Sequence, residues 1–136
     1  MKFRKILVMI LSAVVLMGCT SCEPPTNTYK QVTAQEAMSM MDSLSSPYII
    51  LDVRTPAEFA QGHIPNAINI PNETIGQQEI AALPDKGQRI YIYCRSGNRS
   101  KQAARKLIKL GYTNIVEAGG IRQWKGEVIT GGTPSL

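Results

Sequence analysis

Short apolar runs alternate with helix-start signals along most of this chain, and that alternation constrains the fold more than any other feature. Lys30 to Val32 reads as a short strand. Thr33-Ala34-Gln35-Glu36 is then a capping box, in which the Thr hydroxyl and the Glu carboxylate each satisfy an orphan amide at the start of a helix. Ala34, Ala37, Met38, Met41 and Leu44 recur on one helical face, so this helix ends near Ser45. The continuous run Tyr48 to Val53 suits a strand covered on both faces. A second capping box, Thr55-Pro56-Ala57-Glu58, opens a short helix from Pro56 to about Gln61, and Gly62 closes it. Ala67 to Ile70 reads as a strand, Gln77 to Leu83 as a short helix and Pro84 to Gly87 as a turn. Ile90 to Tyr93 is a strong β run. A helix follows from about Asn98 to Leu110, burying Ala103, Ala104, Leu107 and Ile108, with Gly111 past its end. Asn114 to Glu117 is a last strand, and Gly120 to Lys125 a last short helix. This order predicts an α/β sandwich with a mainly parallel sheet. At 136 residues, 43% hydrophobic and without internal repeats, the chain has the size of one domain.

The first residues read differently. Lys2, Arg4 and Lys5 precede an apolar run from Ile6 to Met17, the pattern of a secretory signal and too short for a comfortable membrane span. Leu16-Met17-Gly18-Cys19 resembles the lipobox of bacterial lipoproteins, in which cleavage before the Cys leaves a lipidated N-terminal residue. The expected organisation is a signal peptide over residues 1–18, a polar, Pro-containing tether over 19–28, a domain over 29–128 and a tail over 129–136. The resemblance implies export, a membrane anchor through Cys19 and a place in the cell envelope. Thr20, standing where an Asp would argue for inner-membrane retention, points to the outer membrane facing the periplasm. The three leader cations supply three of the five net positive charges, leaving +2 on the mature chain. That balance gives no global argument for a nucleic-acid partner or for a polybasic membrane surface; acyl chains would supply the anchor instead. Of the three Cys, only Cys94 lies within the folded body, so no disulfide framework is available there. Cys22, in the tether, reads as incidental or as a resolving thiol.

The stretch with most chemical content is Cys94-Arg95-Ser96-Gly97-Asn98-Arg99-Ser100, set between a strand and a helix. Catalytic groups in parallel sheets collect beyond the C-terminal strand ends, where Cys94 sits. Gly97 permits a sharp bend, after which loop and helix amides can converge on the sulfur as an anion cradle. Between Lys86 and Val116 there are eight Lys and Arg residues and no Asp or Glu. Arg95 and Arg99 lie in the loop itself, and a thiol in such a field is acidified without a His partner.

These residues resemble the rhodanese-type sulfurtransferases. Strand, Cys94-Arg95-Ser96-Gly97-Asn98-Arg99-Ser100, helix is similar to that family's active-site loop. Asp52 to Phe59 and Gly62 to Pro71 are similar to its upstream signature, and Gly119-Gly120 with Trp124 to its closing motif. The resemblance implies a five-stranded parallel sheet flanked by helices on both faces, and catalysis through a Cys94 persulfide. The sulfur would come from a small anionic donor such as thiosulfate and pass to cyanide or a thiol, a thiol protein among the candidate partners. Amides from Arg95 to Ser100 would stabilise the persulfide, and Arg95 and Arg99 would orient the donor. No metal or organic cofactor is implied. An alternative is a weakly catalytic or non-catalytic module that binds a partner or senses redox state. Tyrosine phosphatases place five residues between Cys and Arg. Only four separate Cys94 from Arg99, which disfavours phosphatase or arsenate reductase chemistry.

Asp52, Arg54, Glu58 and His63 are expected to support the site. Asp52 and Arg54 flank a strand end, where a functional role is one reading; the resemblance implies a structural one instead, with Asp52 holding neighbouring loops and Arg54 pairing with Glu58. His63, the single His, sits in a turn where packing is the commoner role and general-base catalysis the alternative. Trp124 reads as core or as one wall of the pocket.

Overall fold

The computed structural model describes residues 28–76 and 78–132. The leader, Cys19, Cys22, nearly all of the tether and the last four residues lie outside the described part. Five strands, β1 (Lys30–Gln31), β2 (Tyr48–Asp52), β3 (Ile68–Asn69), β4 (Arg89–Cys94) and β5 (Ile115–Gly120), form one sheet in the order β1-β5-β4-β2-β3. Every pairing within it is parallel, with Ile50 beside Tyr91 and Tyr91 beside Val116. Both edge strands have only two residues, which leaves little unpaired backbone to template aggregation.

Three helices connect the strands: α1 (Ala34–Ser43), α2 (Pro56–Gln61) and α3 (Asn98–Lys109). Both capping boxes form. Glu36 accepts from the Thr33 amide at 2.7 Å, and Glu58 from the Thr55 amide at 3.1 Å. The central strand β4 presents alternate residues to two cores. Ile90, Ile92 and Cys94 pack with Ala103, Ala104 and Leu107 of α3. Tyr91 and Tyr93 pack on the opposite face with Ala37 and Met41 of α1, and with Ile121 and Trp124. Helices thus cover both faces, and a strand buried on both must be apolar where it is covered, as β4 is from Ile90 to Cys94.

Two sequence expectations fail here. No helix spans residues 78–83; a 3₁₀ turn, Asn72–Thr74, precedes an irregular stretch. That stretch is held by tertiary contacts instead of its own ladder, with Leu83 buried and its carbonyl accepting from the Tyr112 hydroxyl at 2.6 Å. The last expected helix shrinks to the 3₁₀ turn Ile121–Gln123. Its chain then turns to lay Ile129 against His63 in an isolated antiparallel bridge.

Candidate active site

Cys94 ends β4, and the chain turns at once into α3. The turn needs Gly97, whose φ of 108° lies in the left-handed region. That conformation aims the Gly97 amide at Cys94 Sγ, 3.0 Å away. Ser100, in the first turn of α3, places its hydroxyl 3.5 Å from the same sulfur, and the Cys94 thiol donates to it. Burial pushes the Cys94 thiol up, but the Ser100 hydroxyl and the amides of Ser100, Gly97 and Ser96 outweigh it, so the thiol lies below its ordinary range. Amides of Ser96, Gly97 and Ser100 thus form a cradle at the sulfur, with the Gly97 amide hydrogen-bonded to it. That sulfur is deep: Cys94 is only 1% exposed.

The floor of the cradle comes from β5. Ile92 pairs with Glu117 but Cys94 pairs with Gly120, so β5 carries one extra residue, a bulge. Gly119 takes up that bulge with φ of 75°. Gly120 then passes beneath the loop, so closely that a Cβ there would stand 2.2 Å from the Arg95 carbonyl oxygen. The Gly119-Gly120 pair thus performs two separate backbone tasks. Beside it, Glu117 is 1% exposed, accepts from the Ser100 hydroxyl, and accepts from the Gly119 amide at 2.9 Å. Nothing local marks this contact in the sequence, because Glu117 reads as an ordinary strand residue 17 positions from Ser100.

The charges are arranged otherwise than expected. Arg54 does not reach Glu58. It folds back onto Asp52, two residues earlier, with Nη2 2.6 Å from Oδ2 and 2.6 Å from the Gly62 carbonyl. Both side chains are buried, and Asn69 ties down the same corner by donating to the carbonyls of Asp52 and Arg54. Glu58 instead takes Arg99 in a two-pronged pair, each N–O distance 2.8 Å, while still capping α2. Arg99 is therefore compensated and positions the loop against α2. The cations without an ion pair beside the loop, among the described residues, are Arg95 and Arg122. They line a cleft of about 420 Å³ with Arg54, Glu58, Gln61 and Ile121. Arg122 was missed by sequence reasoning, since it lies 27 residues from Arg95 and only the fold joins them.

Ser96 and Asn98 are exposed at the loop rim. His63 is buried, stacked on Phe59 with ring centroids 3.7 Å apart, and its Nδ1 lies 2.9 Å from the Phe59 carbonyl. These contacts are those of a packed residue, and none of them joins His63 to the Cys94 loop. Among the described residues there is no cluster of His, Cys, Asp and Glu able to hold a metal ion.

Comparison with known proteins agrees with this geometry. Residues 33–127 match the family model described as "Rhodanese-like domain". The chain is 39% identical over 72 residues to the thiosulfate sulfurtransferase PspE of Escherichia coli, covering 53% of this chain and 69% of that protein. It is 39% identical over 90 residues to a sulfurtransferase of Allochromatium vinosum, covering 65% and 82%. The crystal structure of a rhodanese-like domain protein from Staphylococcus aureus superposes with a TM-score of 0.64 at 33% identity, covering 76% of this chain and 99% of that one.

Two predictions follow from the packing. Gly120→Ala drives its methyl into the Arg95 carbonyl, so alkylation of Cys94 by iodoacetamide at neutral pH should slow at least about tenfold while the fold persists. The second concerns Glu58. The Arg99 guanidinium, against burial and with help from Thr55, lowers its carboxyl from 4.5 to about 2. A depressed folded-state value contributes stability that is complete above the ordinary carboxylate range and is lost as pH falls toward about 2. The stability difference between wild type and Glu58→Gln, read by urea melts, should therefore shrink between roughly pH 5 and pH 2.

Proposed function

The chain belongs to the rhodanese-like family, and from that premise we propose that it is a sulfurtransferase working through a persulfide on Cys94. The observation that carries the proposal is the convergence of the Gly97 amide and the Ser100 hydroxyl on a sulfur held below its ordinary thiol range. The Cys94 thiolate attacks the outer sulfur of an anionic donor such as thiosulfate. A Cys94 S–S bond forms, the donor's own S–S bond breaks, and sulfite leaves with the bonding pair. Cyanide or a thiolate then attacks the outer sulfur of the persulfide, and Cys94 departs as the thiolate it was. The loop amides stabilise the anion at both stages. Arg95 and Arg122, the uncompensated cations of the adjoining cleft, collect the anionic donor, while Arg99 holds the loop.

The burial of Cys94 bears on the second reading. Sulfur uptake requires the Arg95–Ser96 segment, exposed at the rim, to yield; a thiol that opens to small reagents but takes up no sulfur is that of a binding or redox-sensing module. We further propose, from the leader and the Leu16 to Cys19 motif, that the chain is exported and anchored through a lipidated Cys19 in the cell envelope.

Intact mass after thiosulfate treatment tests the enzyme. Wild type should gain one sulfur atom and lose it to cyanide, and Cys94→Ser should gain none. In the steady state, Arg122→Ala should raise the KM for thiosulfate about fivefold, the upper end for an exposed charge pair. A wild-type thiol that alkylates readily yet gains no sulfur supports the module.

A further inference from the structure

The end of the domain opposite Cys94 carries a surface that sulfur transfer does not use. In a parallel sheet all strands start at one end, and the Cys94 loop lies at the other. The described chain begins at Thr28, just ahead of β1, and so at the strand-start end. Thr28 and Tyr29 line two clefts there. One, of about 440 Å³, is shared with Arg105 and Lys109 at the end of α3. The other, of about 450 Å³, is shared with Lys30 and Arg89. Four cations thus collar the point where the tether enters the domain. Arg89 donates to the Asn114 side chain. Lys30, Arg105 and Lys109 are exposed, and among the described residues none of the three is in an ion pair. The Glu36 carboxylate feels Lys30 but is engaged by its own cap at Thr33.

We propose that this collar rests on an anionic bilayer, its cations facing the phosphodiester headgroups. Two observations select that occupant. The collar is basic and surrounds the tether base, and only nine residue steps separate Thr28 from Cys19, a reach of at most about 30 Å. The location rests on the lipid-anchor reading; the charge pattern stands apart from it. A tether of that length holds the collar at high effective concentration over the headgroups, and each basic residue at an anionic leaflet strengthens partition about fivefold. Docking by this end directs the Cys94 loop and the Arg95–Arg122 cleft away from the lipid, toward soluble donors.

The test uses residues 28–136. That unit contains the whole sheet and both cores, and the Staphylococcus aureus domain it resembles corresponds over 99% of its length. Flotation compares vesicles of phosphatidylcholine alone with vesicles one-third phosphatidylglycerol, a proportion chosen as roughly physiological in charge. Partition should be up to about a hundredfold stronger on the anionic vesicles. It should disappear in high salt and in the Lys30→Gln/Arg105→Gln/Lys109→Gln variant, whose thiosulfate activity in solution is unchanged. Equal partition on both vesicles, or a triple variant that binds like wild type, overturns the proposal. Binding to polyglutamate without vesicle preference also overturns it, in favour of an acidic protein partner. Because the tested unit lacks Cys19, none of these outcomes depends on lipidation, which the N-terminal mass of the membrane-extracted full chain reads separately.

Discussion

The hydrogen bond from the Gly97 amide to Cys94 Sγ is the contact on which the account depends. It exists because a left-handed residue follows a strand end by three positions and sends the chain straight into α3. A side chain at Gly97 would strain that turn, and one at Gly120 would lift the loop off β5. The turn that carries the site is therefore set by the backbone. Side chains of the cleft decide what approaches it, while the Ser100 hydroxyl and the loop amides decide what the sulfur is, and preorganised dipoles need no rearrangement when charge appears.

Around that cradle the ion pairs divide the arginines by task. Arg54 is spent on Asp52 and fixes the corner between β2 and α2. Arg99 is spent on Glu58 and fastens the first turn of α3 to the cap of α2. A buried or half-buried pair of this kind costs desolvation and adds little net stability, but breaking one leaves a charge without a partner. Arg95 and Arg122 remain to face the cleft. The lowering of the Cys94 thiol comes from the Ser100 hydroxyl and the loop amides and not from the cations counted in the sequence, and fewer of those cations face the cleft than their count suggests.

What the sequence made legible was local. Both capping boxes involve residues three apart, and both form with their Thr and Glu partners in place. The β4–loop–α3 unit was legible because a β run, a Gly and an apolar helical stripe follow one another without interruption. What it hid was non-local. Glu58 lies 41 residues from Arg99, and nothing in its own neighbourhood separates that partner from the nearer Arg54. Glu117 meets Ser100, and Arg122 meets the cleft, only because β5 lies beside β4. Residues 78–83 look helical by pattern, but Tyr112 and the core beneath Leu83 fix them in an irregular path.

The most direct test of the cradle is the titration of Cys94 itself, followed by thiolate absorbance in the ultraviolet. Three amides and a hydroxyl outweighing burial predict an inflection below that of the same thiol in the urea-unfolded chain. An inflection at or above that value would mean that the dipoles fail to compensate the burial, and would contradict the account.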